Sequence, residues 1–200
     1  PKLVGAHLRG ESLAEALEGT LSALSQHSRN VYLALALLEE PDPILVRKAL
    51  GLSATEMAKA TDELLGAGLA ASSGKVWPKQ LAREYLNDRK SNLGLLAVRL
   101  ARHLDAVDAF PFYQASKTFW VDEDTQLVCK AYIAWAREVL NRGFPKRAAE
   151  ILDEVNLTDE VKLLKARALE RAGNYQQARK LLADLPDDYR SSALKGVVEY

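Results

Sequence analysis

Two six-residue segments, beginning at Gly143 and Gly173, constrain this chain more than anything else in it. Gly143-Phe144-Pro145-Lys146-Arg147-Ala148 and Gly173-Asn174-Tyr175-Gln176-Gln177-Ala178 each place alanine five residues after glycine. The same offset, 173 minus 143 or 30, pairs Ala136 with Ala166, Ile151-Leu152 with Leu181-Leu182, and Val155 with Leu185. Self-similarity at such a period is the mark of stacked supersecondary units that bury one another's apolar faces. Each unit reads as a helix, a tight glycine turn and a second helix whose alanine lets the two axes approach. A further step of 30 carries Leu164-Lys165-Ala166 onto Leu194-Lys195-Gly196, so the last residues are expected to lie inside a third unit.

Upstream the pattern is helical but not repetitive. Ser12-Leu13-Ala14-Glu15 has the form of a capping box, and Leu13, Leu17, Leu21 and Leu24 follow at helical spacing to about Gln26. Asn30 is expected to cap a second helix, Val31 to Glu39, that is apolar nearly all round. Asp42-Pro43 starts a short helix that Gly51 ends, and Ser53-Ala54-Thr55-Glu56 opens another that stops near Gly66 and Gly68. Leu69-Ala70-Ala71 and Lys75-Val76-Trp77, joined by Ser72-Ser73-Gly74, predict a hairpin. Gln80 to Asp88 predicts a helix with Leu81, Tyr85 and Leu86 inward. Leu93 to Phe110 and Phe112 to Trp120 are read as two helices divided at Pro111, and a long helix is expected after Asp122-Glu123-Asp124-Thr125.

The second unit, with Ala166, Gly173, Tyr175 and Ala178, resembles a tetratricopeptide repeat; the first, with Pro145 where Tyr175 stands, resembles it less closely. Leu35 to Leu38, Gly51-Leu52-Ser53, Asp62 to Leu69 and Pro78 to Leu86 resemble the winged helix of signal-transduction ATPases with numerous domains, such as the large bacterial transcription regulators of the maltose-activator and LuxR-related types. In that family a winged helix runs into a helical-repeat sensor, the order found here. The resemblance implies a mainly α fold: N-terminal helices over 1–28, ending the lid of a nucleotide-binding module; a winged-helix domain with one small hairpin over 29–90; and an antiparallel tetratricopeptide-like array over 91–200. It implies an internal fragment of a cytoplasmic regulator that couples a nucleotide switch to a sensor for a protein or small ligand, its other partners being the parent's own domains. The chain departs from the family in lacking any GxxxxGK[ST] loop, so no nucleotide cofactor is expected in this stretch.

Charge bears on the competing expectation, a winged-helix regulator that grips DNA directly. Lys+Arg and Asp+Glu both total 27, with 11 of each in residues 1–90 and 16 of each in 91–200. The third helix carries Glu56, Lys59, Asp62 and Glu63, a net of minus two, where a recognition helix needs bases against phosphate. No direct nucleic-acid contact is therefore expected, and no membrane contact, since no apolar run approaches the ~20 residues of a span. With one cysteine, Cys129, no disulfide can close within the chain.

No catalytic constellation emerges. His7, His27 and His103 have no partner histidine or cysteine at ligand spacing, which disfavours a metal site. Cys129 reads as a small core hydrophobe rather than a nucleophile. Asp122, Glu123 and Asp124 read as a helix cap rather than a carboxylate cluster. The aromatics from Phe110 to Trp120 read as a helix corner, with a ligand groove as the sharper alternative, and Trp77 and Tyr85 as packing of the wing onto the third helix. What remains is a cationic face. Arg137 and Arg167 are equivalent by the 30-residue offset, and Lys130, Asn141 and Arg171 share their helical faces, which makes these five the candidate partner-binding residues, suited to an acidic ligand. The plainer expectation is that Arg137 and Arg167 pair with neighbouring glutamates.

Overall fold

The structure is a computed structural model that describes residues 12–71, 75–76, 79–186 and 189–199. It is all-α, with twelve α-helices and no extended strand among the described residues. They form two compact units. One comprises the described residues up to Leu104 together with Phe112–Trp120; the other comprises Asp105–Pro111 with the described residues from Val121 onward. Residues 1–11 of the expected lid segment lie outside the described residues, and the helix that begins at Lys90 lies in the first unit.

In the first unit, α1 (Leu13–Ser22) is closed by the expected capping box: Ser12 Oγ accepts the Glu15 N–H at 3.2 Å and the Glu15 carboxylate accepts the Ser12 N–H at 3.0 Å. The next helix differs from expectation. α2 (Gln26–Leu37) begins five residues earlier, capped by Ser25 rather than Asn30. The Ser25 hydroxyl accepts the Ser28 N–H at 3.2 Å, whereas Asn30 sits inside the helix and accepts from Gln26 Nε2 at 2.9 Å. The reason is a partner distant in sequence: the Glu63 carboxylate accepts the Ser25 N–H at 3.1 Å and the Ser28 hydroxyl at 2.7 Å.

Helix α2 is the axis of this unit, with Val31, Tyr32, Ala34 and Ala36 wholly buried. Around it lie α3 (Pro43–Leu50), α4 (Ala54–Ala67), α5 (Lys79–Asp88) and α6 (Lys90–Ala101). α3 starts at Asp42, whose carboxylate accepts the Ile44 and Leu45 N–H groups at 2.9 Å each. α4 starts with the Ser53–Glu56 box. Between α4 and α5 the described residues of the expected hairpin make one antiparallel bridge, Ala70 to Val76, with the Ala71 N–H on the Lys75 carbonyl at 2.7 Å. Its turn, Ser72-Ser73-Gly74, and Trp77 lie outside the described residues. α5 buries Ala82 and Leu86 completely, while Leu81 and Tyr85 are half-buried, so its inner face is rotated from the expected one. That rotation places Arg83 Nε on the Ala36 carbonyl at 2.8 Å and Lys79 Nζ on the Glu39 carbonyl at 2.9 Å, at the C-terminal end of α2. Tyr85 packs against the core of this unit and lies beneath the Arg89 guanidinium, 3.9 Å from its ring centre, while Trp77, its expected companion, lies outside the described residues.

The helices expected at Leu93 to Phe110 and Phe112 to Trp120 break elsewhere. α6 ends at Ala101, and α7 (Ala106–Ala115) runs through Pro111. Its first intrahelical bond is Ala109 N–H to the Asp105 carbonyl at 2.8 Å, so Pro111 falls in the second turn. There it forfeits one bond, to the Val107 carbonyl, at an exposed position where water can replace it. A 3-10 turn, Lys117–Phe119, follows and packs on α6.

The second unit contains α8 (Thr125–Asn141), α9 (Pro145–Leu152), α10 (Asp159–Arg171), α11 (Tyr175–Ala183) and α12 (Tyr189–Glu199), each packed on the next. The 30-residue offset recurs in the backbone hydrogen bonds. Phe144 N–H reaches the Val139 carbonyl at 3.1 Å and Asn174 N–H the Leu169 carbonyl at 2.8 Å. Gly143 N–H reaches Leu140 at 3.1 Å, and Gly173 N–H reaches Glu170 at 2.9 Å. Both glycines are left-handed, at φ 87° and 78°, a conformation in which a side chain would crowd the following carbonyl. Burial recurs too: Ala136 and Ala166, Ala148 and Ala178, Val139 and Leu169, Leu152 and Leu182 are all inside. The third step holds in part, since Ser191 is buried like Val161 but Gly196 is exposed where Ala166 is buried.

Candidate functional site

The five expected partner-binding residues are all exposed, Lys130, Arg137 and Asn141 on α8 and Arg167 and Arg171 on α10, two helices in contact. They are not equivalent. Arg137 Nη2 pairs with Glu160 Oε1 at 2.7 Å, tying α8 to the first turn of α10, with the two side chains 55% and 59% exposed. Glu160 was outside the expected set, and its signal in the sequence was only its place as a first-turn acid. Arg167 has no ion pair among the described residues. A sequence reason exists: thirty residues after Glu160 stands Arg190, a base, so the pairing that holds Arg137 has no acidic counterpart one repeat later. The paired-glutamate expectation therefore holds for Arg137 and not for Arg167.

Two other ion pairs of this unit are local and exposed, Arg142 with Glu138 at 2.9 Å and Arg147 with Glu150 at 3.1 Å, while Lys165, largely covered, reaches Asp153 twelve residues away. Exposed pairs are weak and screened. Lys130, Arg167 and Arg171 are exposed, and cationic groups of this kind can hold a carboxylate or phosphate.

On α4 the acids have distinct employments. The Ser28 hydroxyl and then the Ser25 N–H hold the Glu63 carboxyl below the usual range, and the Ser53 N–H does the same for Glu56. Both stay ionised at neutral pH. With Asp62 also exposed, the outer side of α4 remains acidic around the lone base Lys59.

No cluster of three or more metal-ligating side chains occurs among the described residues, and His7 lies outside them. Cys129 is a free, half-buried thiol. Asp124 is buried and its carboxylate accepts the Val121 N–H at 3.2 Å ahead of α8, while Asp122 and Glu123 face solvent. The aromatic contacts fall within each unit. Phe110 stacks on Trp135 at 5.3 Å and meets Tyr132 edge-on at 4.9 Å in the second unit, whereas Trp120 lies edge-on to Tyr113 in the first and donates Nε1–H to the Tyr113 carbonyl at 3.0 Å. These rings are internal packing.

No helix among the described residues is long and apolar enough to cross a membrane. No protein-family model, curated protein or solved structure matches the chain.

Proposed function

We propose that this chain is a non-catalytic coupling and interaction region of a bacterial signal-transduction regulator, in which a winged helix leads into tetratricopeptide-like repeats that bind a protein or small ligand. The recurrence of backbone hydrogen bonds at a 30-residue step carries the proposal, because a stacked hairpin array is an interaction scaffold. The succession of α2, α3, α4, a short antiparallel bridge and α5 supports the winged-helix part, and the resemblance to multidomain signal-transduction ATPases supplies the coupling role. On this basis the cationic groups of α10, Arg167 and Arg171, meet the ligand, with Lys130 and Asn141 beside them. Arg137 positions the face through Glu160. A cytoplasmic setting and the absence of nucleotide and metal in this stretch belong to the same proposal.

Two titrations test it. Calorimetry of the chain with ATP and magnesium is expected to give no heat above dilution, and mobility shifts with duplex DNA at low salt are expected to stay negative. A salt-sensitive DNA complex lost on Lys59→Glu would overturn the proposal in favour of a DNA-binding regulator.

A further inference from the structure

A step of 30 carries Arg137 and Arg167, the surface arginines of the first two units, onto Val197 in the third. The register is kept at this position. Ser191 and Val198 of α12 are buried as Val161 and Ala168 of α10 are, while Arg167 and Val197 are both exposed, Val197 by 56%. One turn before each stands a half-buried leucine, Leu164 and Leu194, on the same side of its helix. The exposed strips of successive first helices adjoin: Arg137 of α8 reaches Glu160 of α10 through exposed side chains, and α10 packs on α12. The turn that carries Val197 is held in place, since Arg179 Nε of α11 donates to the Val198 carbonyl at 2.8 Å. Along these strips a paired base on α8 gives way to Arg167 and Arg171 on α10, which have no ion pair among the described residues. On α12 the exposed Ser192, Ala193, Gly196 and Val197 are uncharged. Valine is a poorer helix former than arginine, so helix stability does not account for Val197.

We propose that the ligand of this face is an extended segment of a partner protein, with a carboxylate held by Arg167 and Arg171 and an apolar side chain, about three residues away, seated on Leu194 and Val197. The proposal rests on the reading of α8 and α10 as the ligand face; it adds α12 to that face and names the ligand's class. Packed helices lie about 8–10 Å apart and an extended chain advances about 3.3 Å per residue, so about three residues carry it from α10 to α12. Guanidinium groups hold a carboxylate through paired hydrogen bonds. Helix α10 is not purely basic. Asp159 and Glu160 lie in its first turn, Glu160 engaged by Arg137, and Glu170 stands beside Arg171. The strip therefore suits an isolated carboxylate rather than a polyanion, which sets nucleic acid and an anionic bilayer aside. A small molecule is held in a concavity that covers most of it, whereas Val197 stands on an open strip.

The probe is a short serine-glycine peptide with a central glutamate and a leucine three residues to either side, so that chain direction does not matter. Titrated into the isotopically labelled full chain, it is expected to give saturable amide shifts on α10 and α12. Binding should weaken at least about tenfold on Val197→Ser, on Arg167→Ala with Arg171→Ala, and on replacing the peptide's leucines by serine. Val197→Leu should keep it, and so should Lys146→Glu at the start of α9. All the varied positions are exposed, and circular dichroism checks that helix content is kept. Loss on the arginine variant with indifference to Val197→Ser overturns the proposal and leaves the ligand face of α10 standing; indifference to both overturns both. Absence of saturable shifts overturns the proposal alone, the function being judged by the separate titrations with ATP and DNA. It is equally overturned if a peptide with lysine in place of glutamate binds as well, if phosphatidylserine vesicles or duplex DNA shift the same amides, or if dilution of the chain alone does so through self-association.

Discussion

Gly94 has a reason to be glycine that lies outside its own helix. A Cβ at that position in α6 would overlap the ring of Phe119, which the 3-10 turn presses onto the helix. Gly66, in α4, has nothing within 4 Å of such an atom. Opposite outcomes follow for the same substitution. Gly94→Ala should lower stability by about 1–3 kcal/mol through overpacking. Gly66→Ala should raise it by up to about 1 kcal/mol, since alanine is the better helix former and restricts the unfolded chain. Urea denaturation of both variants measures the difference, and equal shifts would contradict the Phe119 contact. At Gly143 and Gly173 the backbone is the constraint, so alanine at either should cost about 1–2 kcal/mol. Similar losses by thermal unfolding are expected, since the two turns share one geometry, and a cost at only one of them would contradict that.

Among the elements, α2 depends most on its neighbours. An acid from α4 meets its N-terminus and bases from α5 meet its C-terminus, each complementing the helix dipole. The Glu63 carboxyl titrates below its usual value of 4.5 in the folded protein. Its contribution is therefore complete above that value and disappears as pH falls through the depressed one. Glu15 and Glu56, depressed by Ser12 and Ser53, act in the same direction. Melting temperature should fall below about pH 4.5, and Glu63→Gln should be less stable at pH 7 but lose less on acidification. Parallel pH profiles for the two proteins would refute the hydrogen bonds to Ser25 and Ser28. The same helix marks the limit of what could be read in the residues. Ser12, Asp42 and Ser53 announce their helices because each cap and its partner lie within three residues. The start of α2 has a cap of the same kind, Ser25 Oγ on the Ser28 N–H, but the Glu63 carboxylate that also holds Ser25 and Ser28 stands 38 residues from Ser25, and no local pattern contains it. The candidate face behaves alike: its bases were legible from the 30-residue offset, whereas the contact of Arg137 with Glu160 depends on how α8 meets α10.

At the scale of the whole chain, balanced charge has a colloidal consequence. Formal net charge is zero at pH 7, so mutual repulsion between molecules is least near neutrality. Light scattering at fixed concentration should show strongest association near pH 7 and weaker association on either side; a flat profile would mean that local patches govern association. The helix lengths of the second unit carry a different consequence. α8 has 17 residues and α9 only 8, about 26 Å against about 12 Å of axis, so α9 can cover only half of its companion. Phe110, arriving from before the unit's main run, lies on Tyr132 and Trp135 of α8. Phe110 therefore belongs to the packing of this unit, and a fragment starting at Asp105 keeps a contact that one starting at Val121 loses. A fragment beginning at Val121 would uncover the side of Tyr132 and Trp135 that Phe110 covers, and should melt lower and take up more hydrophobic dye than the longer fragment.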